Sequence, residues 1–398
     1  MKKSYLILAA VAGLLASCSN EVLVDEAAKD TSAPRAIGFS TFAEKATRST
    51  ADFELETYHK TFVVYGTKTD DNEGTIQAVF GTNNTTANTG VTCDFIADAA
   101  NYDLTEAWHY TPARYWDKQA QYYFAAYTPA AAPLTYVFAT AGNEVGATGA
   151  KFQSTSNYVI KGQNRMQDET PQAAEVKTGF DGVAGTSPKQ DLDIMVSDLN
   201  RQHGSTHDAY VDLIFRHTLA KLNVALDVEK AAPAAGTAGY KVLVQSVSAD
   251  DFNSTGSFTS ALSTLKYEPT WTVVGTDKVN YTYVSPAFTA DPTDGDQLGV
   301  DDLYFIESLV MPQAIAANQV ITIKYRLISV DAAGNEYPEN CTYKLAMTDA
   351  FAAPTYTNYE ENSNYTVKFH LNPENNVIKF DAGVSEWTNM YSHTEDVD

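Results

Sequence analysis

Leu15-Ala16-Ser17-Cys18 is the first place in the chain where residue type and spacing prescribe a reaction. Small side chains directly before a cysteine admit a processing enzyme, and the thiol of that cysteine takes a lipid. The residues in front fit export. Lys2-Lys3 is basic, and Tyr5 to Leu15 is apolar. That run is too short for a membrane-spanning helix, which takes about 20 apolar residues. We therefore read 1–17 as a signal peptide and Cys18 as the lipidation site. Ser19-Asn20 follows, with no Asp directly behind the cysteine, which fits delivery to the outer membrane. Acyl chains contribute about 0.8 kcal/mol per buried CH₂, so several hold a protein firmly.

Other sets of chemically able residues carry less. Asp70, Asn72 and Gly74 alternate like the start of a calcium loop. No glutamate stands where such a loop would close, so a hairpin turn is expected instead. His203 and His207 would share a helix face and could chelate a metal there. Their stretch contains Gly204, Ser205 and Thr206 and has no apolar periodicity, so it reads as a solvated loop. Trp108-His109-Tyr110-Thr111-Pro112 and Arg114-Tyr115-Trp116 could form a sugar-binding platform; the core and rim of a β-sandwich is the favoured reading. Beyond Cys18 the cysteines are Cys93 and Cys341. Two separate buried thiols are expected, with a disulfide in an oxidising compartment as the alternative. Nucleophile elbow, phosphate loop, zinc-protease and dinucleotide motifs are all missing from the sequence. No catalytic residue, cofactor or metal is expected.

The net charge of −23 over 398 residues argues against nucleic acid or an anionic membrane surface as an electrostatic partner. It suits a solvated surface outside the cell. The length suggests two domains, or three small ones.

Apolar runs rich in Val, Thr, Tyr and Phe predict strands throughout. Glu21 to Arg35 is a polar tether. Ile37 to Phe42 alternates as a first strand, with Ile37, Phe39 and Thr41 on one face and Gly38, Ser40 and Phe42 on the other. Strands are expected at Thr61 to Gly66, Ile76 to Phe80, Gln121 to Tyr127 and Leu192 to Val196. Asn200 to Asp208, polar with Gly and Ser, is the expected linker. Val211 to Phe215, Ala220 to Val228, Val242 to Val247, Val320 to Ile328, Tyr365 to Leu371 and Val377 to Phe380 continue the strand pattern, and the tail from Thr388 is acidic. Many short strands with Gly, Pro and Asn turns indicate an all-β sandwich architecture.

Several pieces occur in a telling order. Cys18 is followed by A-I-G-F-S-T-F from Ala36 and A-T-R-S from Ala46. W-H-Y-T-P-A-R-Y-W and Y-Y-F-A-A-Y-T-P come next. F-R-H-T-L-A-K-L-N-V starts at Phe215, and V-I-K-F-D-A-G-V-S-E-W ends at Trp387. In these features the chain resembles the fimbrillin family, subunits of the type V pili of Bacteroidales. The resemblance implies two tandem transthyretin-like β-sandwich domains, here 49–205 and 206–398. It implies a lipidated precursor at the outer membrane and an Arg-specific cut behind the first strand, in segment 36–48. The matching cut is after Arg48. A cut after Arg35 would release the lipid and leave the strand, with Ile37, Phe39 and Phe42, in place. The emptied groove would take a strand from another pilus subunit. Ile378, Phe380 and Val384 mark the candidate donor, although the same strand could complete its own domain. Host proteins or glycans would be further partners. A lipoprotein that keeps its first strand, as anchor, adhesin or glycan binder, is the alternative.

Overall fold

The computed structural model describes residues 36–43, 61–70, 74, 76–81, 89–95, 108–139, 144–168, 192–206, 210–352 and 355–387. The first half supplies β1 (Phe39–Ala43), β2 (Thr61–Asp70), β3 (Ile76–Phe80), β4 (Val91–Phe95), β5 (Trp108–His109), β6 (Ala120–Thr128), β7 (Leu134–Val137), β8 (Lys151–Ser154), β9 (Tyr158–Val159), β10 (Met195–Ser197), β11 (Asn200–His203) and β12 (Val211–His217). The second half supplies β13 (Ala220–Val228), β14 (Gly239–Asn253), β15 (Thr255–Ser263), β16 (Lys266–Val273), β17 (Lys278–Val284), β18 (Asp296–Gln297), β19 (Leu303–Val310), β20 (Gln313–Ala314), β21 (Val320–Val330), β22 (Glu336–Ala346), β23 (Asn358–Tyr359), β24 (Ser363–Asn372) and β25 (Val377–Glu386). The helices described are single turns, so the protein is all-β, as its sequence pattern indicates.

A nine-stranded sheet runs β1-β12-β10-β6-β2-β4-β5, with β3 on β2 and β11 on β6. The next sheets are β19-β13-β24-β25, then β17-β14-β21-β22 with β18 on β14, then β16-β15-β8-β7 with β9 on β15. The sequence halves therefore interleave: β7 to β9 pair in a sheet built on β15. Asn200–His203 is not a linker. It pairs with β6 from Asn200↔Phe124 to His203↔Gln121. Its polar side chains are half-exposed, which made a strand look like a loop. Strand β12 belongs to the nine-stranded sheet, and the change of sheet comes between His217 and Ala220.

Alternation explains the uninterrupted apolar runs of β2 and β6. Phe62, Val64, Tyr122, Phe124 and Ala126 enter one core, and Val63, Tyr65, Ala125 and Tyr127 enter another. Both strands are covered on both faces, where an alternating polar pattern disappears. The first core is lined by the nine-stranded sheet itself, with Ile37 and Trp116 beside it. The second continues through the remaining sheets.

Candidate functional site: the seam strand and its slot

Strand β1 lies parallel to β12, in the register Phe39↔Val211, Thr41↔Leu213 and Ala43↔Phe215. Its other edge is held as well. Ala36 bridges Tyr115, and the Ile37 N–H donates to the Arg114 carbonyl at 2.9 Å. The segment that does this follows directly on β5, the opposite end of the sheet. The sheet thus closes on itself, and β1 with the residues before it is the seam.

The alternation of Ile37, Phe39 and Thr41 puts all three inward, at 1%, 4% and 1% exposure. Phe39 sits in an aromatic box. The rings of Phe62, Phe80, Tyr110 and Phe124 meet it edge-on at 5.6, 5.3, 5.9 and 6.0 Å, a favoured aromatic geometry. The Thr41 hydroxyl is buried without a hydrogen-bond partner. Gly38 is required by close approach: a Cβ there would lie 2.5 Å from the Tyr210 ring. Phe42 pairs through its backbone with Ile214; its side chain lies outside the described residues.

Tyr110 and Arg114 build the second wall of the slot. The Tyr110 hydroxyl donates to the Ile37 carbonyl at 2.7 Å. Burial pushes this phenol up to about 12, so it remains a donor at any physiological pH. Arg114 fixes the wall by donating from Nε to the Val79 carbonyl at 2.9 Å and from its guanidinium to the Pro112 carbonyl at 3.2 Å. On the opposite edge the Val211 N–H donates to the Gly38 carbonyl at 2.8 Å. In the sequence Tyr110 and Arg114 belong to the aromatic cluster, and nothing there ties them to the first strand. The density of W-H-Y-T-P-A-R-Y-W was the available signal.

Trp108 and Trp116 are 6% and 7% exposed and pack into the first core. A sugar needs an exposed aromatic face, so these two indoles do not form the platform weighed as an alternative. Cys93 and Cys341 are free thiols, Cys93 buried on β4 and Cys341 half-buried on β22. They form no disulfide, and burial drives the Cys93 thiol well up. His203 bonds Ser205 through Nδ1 at 2.7 Å, while His207 lies outside the described residues. Among the described residues no cluster could hold a metal ion. Cys18, Arg35 and Arg48 also lie outside them.

Ile378, Phe380 and Val384 stand on β25, at the edge of a different sheet. They pack partly buried against the second core, as does Ala382. Strand β25 runs antiparallel to β24 from Asn372↔Val377 to Ser363↔Glu386. The structure therefore brings Ile37 and Phe39 together in one core and keeps the candidate donor residues in another.

The F-R-H-T-L-A-K motif forms the joint between the sheets. Arg216 makes a two-pronged ion pair with Asp198, at 2.9 and 2.7 Å. His217 is bonded through Nδ1 to Asp193 at 2.8 Å, and its ring stacks on Trp387 at 3.7 Å and 7°. Lys221 and Glu307, both almost fully buried, pair at 2.6 Å. The last residue of V-I-K-F-D-A-G-V-S-E-W thus closes over the histidine of F-R-H-T-L-A-K.

The chain is, by its sheets and its buried seam, an all-β protein in which the first of the described strands completes a core. The fimbrillin-like family model matches residues 47–387, and the chain belongs to that family. The match begins behind the seam strand and ends at Trp387. Membership makes the chain a structural, non-enzymatic protein of pilus or adhesion type, at the cell surface. A fimbrial protein of Bacteroides vulgatus ATCC 8482 shares the fold with a TM-score of 0.52 and 12% identity, over 89% of this chain and 100% of that one. A candidate cell adhesion protein of Bacteroides uniformis ATCC 8492 aligns over 89% of this chain and 98% of its own, with a TM-score of 0.40 and 14% identity. No curated protein sequence matches the chain.

Proposed function

We propose that this chain is a subunit of a surface pilus, exported as a lipoprotein through Cys18 and assembled by strand exchange. A cut behind Arg48 frees β1, which is then replaced by a strand of a neighbouring subunit. The observation that carries this reading is the seam. One short strand, paired with β12 and held on its other side through Ala36 and Ile37 just before it, closes the first core, and it is the first of the described strands. Its loss leaves unpaired backbone groups on β12 and an apolar slot, a surface that invites another strand. A donated strand supplies main-chain hydrogen bonds and pocket-filling side chains together. Donation from tail to head does not close on itself, so it yields a filament. A cut after Arg35 would leave Ile37 and Phe39 in place.

The test is direct. The lipidated precursor is treated with an Arg-specific protease, and the new N-terminus and the mass in solution are determined. A chain starting at Ser49 that goes on to form higher oligomers supports the proposal. A chain left uncut, or cut only after Arg35, removes it. A second reading is an outer-membrane lipoprotein that keeps β1 and serves as pilus anchor or adhesin. It draws on the full pairing of β25 with β24, which leaves the last strand engaged within its own chain.

A further inference from the structure

The slot beneath β1 meets its occupant at the backbone and at the side chains, and Tyr110 takes part in both. Its hydroxyl holds the Ile37 carbonyl, and its ring edge is one wall of the Phe39 box. The Arg114 carbonyl takes the N–H of the same Ile37. Register is therefore pinned at one residue, and the pockets follow at intervals of two. The first pocket holds an aliphatic side chain and the second an aromatic ring among Phe62, Phe80, Tyr110 and Phe124. The third holds Thr41, whose hydroxyl has no partner, so a small apolar residue suits it equally. The side chains in between face Tyr210 and Asp212. Ser40 bonds Asp212, and Tyr210, 42% exposed, lies over Gly38. That ring must turn aside for any residue larger than glycine.

We propose that Tyr110 is the specificity-determining residue of this slot, and that the slot accepts an extended segment of a second copy with the order aliphatic, any, aromatic, any, small. The inference rests on the strand-exchange reading above. Among the described strands, two besides β1 have that order: Val63-x-Tyr65-x-Thr67 in β2 and Ile378-x-Phe380-x-Ala382 in β25. Strand β2 is interior, between β6 and β4. Strand β25 is an edge whose Ile378, Phe380 and Ala382 already face a core. It can leave by breaking pairing on one side only. The order also sets the register of the exchange. Ile378 takes the place of Ile37, Phe380 that of Phe39 and Ala382 that of Thr41, with Lys379 turning Tyr210 outward.

The full chain, cut by an Arg-specific protease, is titrated with labelled peptides that displace its own β1. One peptide spans Ala36–Ala43 and the other Val377–Val384. Both should enter saturably. Phe39→Ala and Phe380→Ala peptides should be weaker by at least about 100-fold, the scale of a buried phenylalanine lost. On a Tyr110→Phe chain every peptide should weaken about fivefold, because one hydrogen bond to the backbone is gone while the ring wall stays. On a Tyr110→Ala chain the preference of phenylalanine over leucine at the second pocket should shrink. A merely structural tyrosine would leave that ratio unmoved. Entry of both parent peptides without discrimination against alanine overturns this inference alone, as does a Tyr110→Phe chain with unchanged affinities. Failure of the Ala36–Ala43 peptide to enter the cut chain overturns the strand-exchange reading as well.

Discussion

Phe39→Ala in the uncut chain tests the seam without any protease or partner. The side chain is 4% exposed and meets four rings edge-on. Removing a buried phenylalanine costs about 3–5 kcal/mol. The box is rigid on three sides, because Phe62, Phe80 and Phe124 stand on paired strands, so little collapse is available to reduce that figure. For a folding unit of this size about 1 kcal/mol moves the midpoint by roughly 2–4 °C, which gives a drop of roughly 6–20 °C. The loss should fall on the first core. Phe39 contributes nothing to the larger core, so heat unfolding should show a lowered first step while the remainder holds. Calorimetry resolves the steps, and hydrogen exchange should show faster opening of Val211 to Phe215, which pair with β1. Ser40→Ala is the internal control. It removes a bond to Asp212 at a half-exposed position and should cost under about 1 kcal/mol. If Phe39→Ala shifts the midpoint no more than Ser40→Ala, β1 does not complete the core and the seam argument fails.

Four further outcomes follow from other parts of the molecule. Lys221→Met should destabilise by about 3–5 kcal/mol, because it leaves the buried Glu307 carboxylate unpaired; the double variant with Glu307→Leu should recover most of the loss in denaturant melts. Trp387→Ala should cost about 3–5 kcal/mol, since the indole is 2% exposed and covers His217, and a midpoint within error of the parent would refute the closing role. Burial pushes Tyr110, Tyr136 and Tyr365 each up to about 12, above the ordinary value near 10. Their stability contribution is therefore complete below about pH 10 and is lost as the pH rises toward 12. Tyrosinate absorbance should rise in two stages, the second together with loss of the β-sheet circular dichroism, and a single stage near pH 10 with the fold intact contradicts it. Finally, Cys341 should react with a thiol reagent in the native protein, whereas Cys93 should react only after unfolding, with equal results before and after reduction.

How much was legible in the sequence depended on how a residue's burial shows itself. Ile37, Phe39 and Thr41 were readable because one face of β1 is buried and the other is not, so a period of two survives. The long apolar run of β6 announced a buried strand but not its two cores, since both faces look alike. Asn200 to His203 reads as a linker although it pairs with β6, because a strand whose side chains stay in contact with water carries the composition of a loop. The aromatic cluster was correctly weighted toward core, but its partner was invisible. What Tyr110 holds is a backbone carbonyl of a residue 73 positions away, and backbone carbonyls leave no trace in residue type. The same holds for the joint, where His217, Asp193 and Trp387 meet only because three strands end together. F-R-H-T-L-A-K and V-S-E-W were legible as pieces and not as contacts.

For strand exchange to work, the slot must survive the loss of its strand, and the division of the cores explains how it can. Ile37 and Phe39 belong to the smaller core alone. The wall they leave, β12, runs through His217 into β13, and the larger core contains none of the described side chains of β1. On the other wall, Arg114 is tied to Val79 and Pro112 without help from β1. Both walls are thus anchored from outside the slot. The same arrangement joins the two ends of the proposed exchange. Strand β25 is followed directly by Trp387, which lies on His217 at the end of β12. A subunit that gave up β25 would uncover His217 at the end of that wall, whereas one that keeps β25 leaves it covered. If β25 is the donor, as proposed, receiving a strand and donating one would be coupled through this stacked pair, and a subunit with β25 still at home would offer the better-supported slot.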